Sequence, residues 1–404
     1  MLRLSDGHSP SAAGPTSTVV DEYGFEISCT PEQLAVRQQC ADKAHQLVGK
    51  WGKLGGPKEL PKPDKLKKYC RKGVPPQFRG WVWLQTSGAA ARKAGQMANY
   101  YEAMVHMGEA TSDWEHQIEL DLPRTFPANQ WISSEEGQTA LRRVLLAFSV
   151  HKPQVGYCQG MNYIGAMLLL VMDRGEEDAF WVLVSLIDDG GILYRDMYAN
   201  NLAGTHVELR SLDELVTSKL PKLHAHLQAL NCDISIIATD WFLCIFCTTL
   251  PSETAARVWD ALFSEGPKII FRVALALLKM HEEALLAQDN PGYVLRELRT
   301  VVSQMHDRDR LMKVAFDGIG SMPMAKIDNF RERKQEVVDV EMRRRESRQA
   351  LQAAIKESHS EGNEFTALGM SGFAEKIRSS YKARLGGSGA ATPEQNGSPA
   401  KQRA

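Results

Sequence analysis

The stretch Ile118–Pro127 (IELDLPRTFP) contains an arginine whose setting suits contact with a phosphate. Asp121 lies three residues before Arg124, and Pro123 between them prevents ordinary helix continuation. Arg124 is therefore expected on a rigid segment where a helix gives way to a loop. A guanidinium held in this way beside a carboxylate can bind phosphate oxygens. Spacing alone nevertheless favours a plain surface Arg–Asp ion pair, because such pairs are common.

A second candidate is Gln159, in the stretch Tyr157–Asn162 (YCQGMN). Pro153, Gly156 and Gly160 indicate a constrained loop just before an apolar helix that begins at Asn162. An amide side chain both donates and accepts hydrogen bonds, so Gln159 could orient a water molecule. Spacing alone favours a more ordinary role, in which the amide caps the helix or bonds to the backbone.

Arg79 and Trp83 form a third motif, in which Gly73-Val74-Pro75-Pro76 precedes a helix. The two residues are four apart and share one helical face, so the guanidinium can stack on or near the indole. This pattern predicts a structural role.

Taken together, the three motifs resemble the TBC domain of Rab GTPase-activating proteins. That family has an R-x-x-x-W, an I-x-x-D-x-x-R and a Y-x-Q-G-M element, and all three are present here in the same order without substitution. The resemblance covers about residues 66–325, and Asp21–Phe25 (DEYGF) also resembles the lead-in of small family members. Further matching elements are Leu220-Pro221, His226-Leu227, Thr239-Asp240-Trp241-Phe242, Arg257-Val258-Trp259-Asp260 and Glu265-Gly266.

The resemblance implies a mechanism with two catalytic side chains supplied in trans. Arg124 would enter the active site of a GTPase and neutralise the charge that develops on the γ-phosphate, while Asp121 holds the arginine in place. Gln159 would orient the attacking water. The residues expected to shape or support these two are Tyr157, Gly160 and Asn162 in the glutamine loop, and Arg79, Trp83, Trp241 and Trp259 as structural residues.

The implied partner is a Rab-type small GTPase in its GTP-bound state. GTP and Mg²⁺ belong to that partner, since this sequence contains no phosphate loop of the G-x-x-x-x-G-K type, and no cofactor or metal of its own is expected. The expected location is the cytoplasm, with at most peripheral membrane association, through recruitment to endomembranes by the partner, and the expected process is vesicle trafficking.

Three other functions are open. A non-catalytic Rab-binding scaffold of the same fold would bind without accelerating hydrolysis. A zinc enzyme could use Cys244 and Cys247 with His224 and His226, but no second C-x-x-C or H-x₃-H completes a tetrahedral set. A hydrolase with Cys158 as nucleophile would need an activating base, and only His151 is near in sequence.

Composition fits a globular protein without a nucleic-acid partner. The chain has 404 residues, 43% hydrophobic and 24% charged, and a net charge of −1. Seven cysteines, an odd number partly within apolar stretches, indicate reduced thiols. The N-terminus does not look like a secretory signal, and the longest apolar run, Tyr163–Met172, is shorter than the roughly 20 residues of a membrane span.

Apolar periodicity predicts an all-α fold, and the resemblance implies a multi-helix TBC domain in two helical lobes with flexible termini. Helices are expected at 30–50 (starting at Thr30), 138–150, 236–250, from Ser252 onward, at 271–286 and at 330–357. A protein reduced to about residues 55–330 is expected to keep most of its activity in vitro. The expected organisation is disorder over 1–20, a helical lead-in over 21–65, the TBC domain over 66–325 with its motifs in 73–266, a charged helical extension over 326–385 and a disordered tail over 386–404.

Overall fold

The computed structural model describes residues 16–53 and 60–360, and over these residues the protein is helical, as predicted. A 3₁₀ turn (Leu122–Arg124) follows α6, and a π-helical turn (Val314–Gly318) follows α17. The helices are α1 (Pro31–Gly52), α2 (Pro63–Lys72), α3 (Pro76–Thr86), α4 (Ala89–Ala94), α5 (Tyr100–Thr111), α6 (Glu115–Asp121), α7 (Glu135–His151), α8 (Met161–Val171), α9 (Glu176–Ile187), α10 (Ala203–Lys219), α11 (Pro221–Ala229), α12 (Ser235–Leu243), α13 (Ser252–Glu265), α14 (Lys268–Met280), α15 (Glu282–Leu286), α16 (Pro291–Ser303), α17 (Arg308–Lys313) and α18 (Met324–Ser360).

A β-hairpin precedes the helices, and the sequence did not predict it. Strands β1 (Ser17–Val20) and β2 (Glu26–Cys29) pair in antiparallel fashion, so the prediction of disorder up to residue 20 is wrong at its end. The turn between them is built by the Asp21 carboxylate, which accepts hydrogen bonds from the backbone N–H groups of Tyr23 and Phe25, both at 2.9 Å. Four-residue strands are too short to show a clear apolar alternation, which is why the pattern was missed.

The described residues up to Met342 belong to one compact unit, and within it the helices pack in two groups, in agreement with the predicted lobes. In the first group, α4, α5, α6 and α8 pack around the central pair α7 and α9. In the second, α10, α12, α13 and the α17 region pack around α14. Helix α3 contacts members of both groups, since it touches α8 and α9 as well as α13.

Helix positions largely follow the apolar pattern, with two exceptions. The apolar residues Leu141, Val144, Leu145 and Phe148, which share one face of the predicted helix 138–150, are fully buried in α7, and Thr30 caps α1 as expected. The predicted helix 236–250 stops at Leu243, because Ile245 and Phe246 adopt positive φ values of 47° and 64°. The predicted helix 271–286 is interrupted after Met280. The first segment is largely apolar, so hydrophobicity alone gives no signal for its break, whereas the second break falls at the polar residues His281-Glu282-Glu283.

Helix α18 extends the charged helix predicted at 330–357 in both directions, and its residues from Arg343 belong to a second unit. The predictions for residues 1–15, for the end of the charged extension (361–385) and for the tail (386–404) lie outside the described residues. None of the helices in the described part of the chain has the length and apolar character needed to cross a membrane.

Candidate functional site

Arg124 lies at the end of the 3₁₀ turn that follows α6. Pro123 occupies the middle of this turn, as the sequence indicates, and the arginine side chain is 49% exposed. Its Nη2 donates a hydrogen bond to Oδ1 of Asp121, whose side chain is completely buried. The ion pair that the spacing favoured is therefore present. It differs from a plain surface pair because the protein encloses the carboxylate and leaves the guanidinium partly in solvent.

The second oxygen of Asp121 connects this pair to the glutamine loop. The hydroxyl of the buried Tyr157 donates to Oδ2 of Asp121 at 2.5 Å. Burial, together with this hydrogen bond, raises the pKa of Tyr157, so the hydroxyl stays protonated and acts as a donor. Because Tyr157 is two residues before Gln159, one buried carboxylate holds both the arginine and the base of the glutamine loop.

Thr125 and Asn162 make a second connection between the same two segments. The Asn162 Nδ2 donates to Thr125 Oγ1 at 2.7 Å, and the Thr125 hydroxyl donates to the Asp121 carbonyl at 2.7 Å. On its other side, Asn162 Oδ1 accepts from the backbone N–H of Gly160 at 3.0 Å. Both polar side chains are buried, where such hydrogen bonds hold the backbone strongly.

Gln159 is exposed at the tip of this loop, and its side-chain amide makes no hydrogen bond to the described part of the chain. Gly160 follows it with φ +110°, and a Cβ at that position would lie 3.3 Å from the carbonyl oxygen of Leu243. Upstream, Gly156 has φ +61°, and a Cβ there would overlap the indole of Trp114 at 2.0 Å. The loop therefore needs both glycines, and the helix-capping role considered for Gln159 is not observed.

Arg79 and Trp83 are joined differently from the predicted stacking. Both donate to one buried carboxylate, Asp260: Arg79 Nε to Oδ1 at 3.0 Å, and Trp83 Nε1 to Oδ1 at 2.9 Å. Burial alone would lower the pKa of the Arg79 guanidinium, but the charge of Asp260 raises it. Their contacts join α3 to α13, and those of Arg79 continue to Tyr23, whose hydroxyl accepts from Nη1 at 2.5 Å.

Trp241 and Trp259 lie in the core beneath the turn that ends α12. The indole N–H of Trp259 donates to the carbonyl of Ile245 at 2.7 Å, and Trp241 stacks on Phe246 with ring centroids 5.8 Å apart. Ile245 and Phe246 are the two residues with positive φ in this turn. The two tryptophans therefore contact the residues whose backbone conformation is unfavourable.

The cysteine and histidine chemistry considered from the sequence has little geometric support. Burial raises the pKa of Cys158 to about 11, and His151 instead pairs with the Tyr100 hydroxyl through Nδ1 at 2.9 Å. Cys244 is likewise buried with a pKa raised to about 12. In the described residues, no group of three or more His, Cys, Asp or Glu side chains could hold a metal ion.

Residues 76–286 match the family model of the Rab-GTPase-TBC domain. The chain belongs to the Rab-GTPase-TBC domain family. The matched range contains the arginine turn, the glutamine loop and the Arg79–Asp260 pair, so the predicted resemblance is confirmed at the level of the family.

Relatives of this TBC-domain protein include short and long chains. It is 35% identical to human growth hormone-regulated TBC protein 1, covering 78% of this chain and 94% of that protein. It is 34% identical to mouse TBC1 domain family member 2A over 85% of this chain, but spans only 38% of that relative's length. Among solved structures, the Chlamydomonas flagellar RabGAP TBC domain is 47% identical with a TM-score of 0.69, covering 75% of this chain and 100% of that domain.

The structure brings together Asp121, Arg124, Tyr157, Gly160 and Asn162 as one network, with Gln159 on the loop that this network holds. Thr125 was missed from the sequence, although it stands directly after Arg124. Its partner Asn162 is 37 positions away, and no local pattern indicates such a contact. Tyr163 was also missed, and its hydroxyl donates to the Arg124 carbonyl at 3.3 Å.

Proposed function

We propose that this protein accelerates GTP hydrolysis by a Rab-type small GTPase, by inserting Arg124 and Gln159 into the partner's active site. In this proposal the partner is in its GTP-bound state and carries the nucleotide and Mg²⁺. Phosphoryl transfer requires stabilisation of charge and a positioned water rather than covalent chemistry by the activating protein. Two exposed side chains on fixed backbone suit that task.

Arg124 is suited to contact the phosphate groups of GTP. One of its nitrogen atoms is bound by Asp121, which fixes the direction of the side chain, while the half-exposed guanidinium keeps further donors for phosphate oxygens. Asp121 cannot swing away, because its other oxygen is bound by Tyr157. A preorganised arginine of this kind is worth about 10³ to 10⁵ in rate.

Gln159 is suited to orient the attacking water. The backbone next to Gln159 is fixed by the hydrogen bond from the Gly160 N–H to the Asn162 side chain. The Gln159 amide has no competing partner in the described chain. An amide can accept from a water molecule and donate to a phosphate or carbonyl oxygen at the same time.

The observation that carries the proposal is the shared support of the two side chains. Asp121–Tyr157 and Thr125–Asn162 tie the arginine turn to the glutamine loop through buried hydrogen bonds of 2.5 and 2.7 Å. Arg124 and Gln159 are thus presented by one rigid unit.

The test is hydrolysis of GTP by a panel of purified Rab GTPases, with and without this protein. The wild type should accelerate at least one of them, and Arg124→Ala and Gln159→Ala should each remove most of that acceleration while GTPase binding persists. Arg174→Ala, at another arginine that is more than half exposed, is the matched control and should behave as wild type. Binding without acceleration by the wild type would instead support the scaffold alternative.

We also propose that the protein acts in the cytoplasm and reaches endomembranes through its GTPase, which places it in vesicle trafficking. A variant that no longer binds the GTPase should then lose any membrane localisation in cells.

A further inference from the structure

The N-terminal segment Asp21–Glu26 lies against the loop that carries Arg124, although it precedes the family match at residues 76–286. The backbone N–H of Glu26 donates to the carbonyl of Ala128 at 3.0 Å, and Phe25 forms a β-bridge with Asn129. Ala128 and Asn129 follow Arg124 by four and five residues. The segment and the arginine loop therefore share backbone hydrogen bonds.

Phe126 lies at the centre of this contact. It adopts a positive φ of 48°, which is unfavourable for a bulky residue and persists only where surrounding contacts impose it. Its ring packs edge to face between two aromatic rings, with centroids 5.0 Å from Phe25 and 5.2 Å from Tyr163. Tyr163 also bonds to the Arg124 carbonyl, so the aromatic cluster Phe25–Phe126–Tyr163 borders the arginine directly.

A buried asparagine fastens the other side of the contact. Asn129 is fully buried, and its Nδ2 donates to the Tyr23 carbonyl at 2.8 Å. Its Oδ1 accepts from the backbone N–H of Ile132 at 3.0 Å. The Asn129 side chain therefore joins the N-terminal segment to the turn at residues 129–132 that follows the arginine.

The segment is itself anchored to the second group of helices. The Tyr23 hydroxyl accepts from Arg79, which is bound by Asp260 of α13. Asp21 accepts from the hydroxyl of Ser252, the first residue of α13. The N-terminal segment can transmit the rigidity of this core to the arginine loop because it is fixed at both places.

We propose that Phe25 is a positioning residue for Arg124, and that the N-terminal segment is a required part of the catalytic unit. This inference rests on the proposed function. Phe25 does not touch the GTPase site in this proposal; it acts by holding Phe126 and hence the backbone that presents the guanidinium. Displacement of a catalytic group by about 1 Å costs on the order of a hundredfold in rate, so partial loosening should cost about tenfold.

The experiment uses the full chain and a GTPase that the wild type stimulates strongly and Arg124→Ala stimulates only weakly but measurably, so that failure of the proposed function is detected first. kcat and KM of stimulated hydrolysis are measured for Phe25→Ala in wild-type and Arg124→Ala backgrounds. Phe25→Tyr, which keeps the ring, is the conservative variant. Val20→Ala, at an apolar residue of the same hairpin that is 62% exposed, is the matched control.

We expect Phe25→Ala to lower kcat about tenfold with KM changed less than about twofold, and to have no further effect when Arg124 is already absent. Phe25→Tyr and Val20→Ala should stay within about twofold of wild type. Equal losses in both backgrounds, a change in KM alone, or wild-type activity of Phe25→Ala would overturn the inference. If Phe25→Ala melts at a lower temperature, Phe25→Leu replaces it under the same criteria, since it keeps most of the volume without the ring.

Discussion

At the scale of single residues, the site depends on one buried carboxylate and two exposed side chains. Asp121 is enclosed and bound on both oxygens, whereas Arg124 and Gln159 extend into solvent. Little conformational entropy is then lost when the protein binds its partner, because the backbone and the supporting groups are already fixed.

Arg124→Lys should be nearly as inactive as Arg124→Ala. Lysine keeps the positive charge but loses the planar fork that reaches Asp121 and phosphate oxygens at the same time. The fold should be unaffected, since the arginine side chain is half exposed. Single-turnover GTP hydrolysis measures the effect, and retention of more than about a tenth of wild-type activity would show that charge alone suffices.

The role of Gln159 can be separated from that of the GTPase's own glutamine. If Gln159 orients the water, a GTPase whose switch glutamine is replaced by leucine should still be stimulated by the wild type, and should not respond to Gln159→Ala. Loss of one positioning hydrogen bond costs on the order of 2 to 3 kcal/mol, so the two rates should differ by about a hundredfold. Absence of any stimulation of the leucine variant, with binding intact, would assign the catalytic glutamine to the GTPase.

At the scale of secondary-structure elements, two segments outside the motif-bearing core contribute buried polar contacts to it. The N-terminal hairpin contacts the arginine loop, and α18 supplies Arg331, which donates to both oxygens of the buried Glu208 of α10 at 2.6 and 3.0 Å. Burial raises the pKa of Glu208 although Arg331 opposes the shift. A protein reduced to about residues 55–330 would lack both of these contacts.

A protein that ends at residue 330 should therefore be much less stable than one that ends at residue 342. Removal of Arg331 leaves the Glu208 carboxylate buried without its partner, which costs about 3 to 5 kcal/mol. Urea unfolding of the two truncated proteins measures the difference. In the protein that ends at 330, Glu208→Gln should recover part of the loss; equal midpoints for the two lengths would mean that the pair contributes nothing.

At the scale of the whole molecule, half-buried histidines make stability depend on pH. Burial lowers the pKa of His281 and His306, and in each ring one buried nitrogen has no hydrogen-bond partner in the described chain. A histidine with a lowered pKa in the folded state binds its proton more readily after unfolding. The folded protein is therefore destabilised as the pH falls below the ordinary histidine value of 6.5.

His281→Gln should accordingly weaken the fall in melting temperature between pH 7.5 and pH 5.5. For a chain of this size, each 1 kcal/mol of stability lost corresponds to roughly 1 to 2 °C. Thermal melts of the variant and the wild type at both pH values give the comparison, with His45→Gln at an exposed histidine as control. If His281→Gln shows the same pH dependence as the wild type, protonation of His281 does not contribute to the loss of stability at low pH.

By itself the sequence predicted the helical fold, the approximate positions of several helices and the candidate site residues other than Thr125 and Tyr163. Pro123 and the Asp121–Arg124 spacing predicted a rigid arginine turn, and Gly156 and Gly160 predicted a constrained glutamine loop, because these residue types restrict the local backbone. Such effects act over a few residues and can be recognised in a linear pattern.

Only the tertiary structure decided which distant residues support the site. The hydrogen bonds Tyr157–Asp121 and Asn162–Thr125 join positions 36 and 37 residues apart, and the Phe25–Phe126 contact links a hairpin of short strands to the arginine loop. The break after Leu243 was likewise invisible in its largely apolar surroundings. These features depend on packing between segments that are remote in the chain, and a local pattern contains no information about such neighbours.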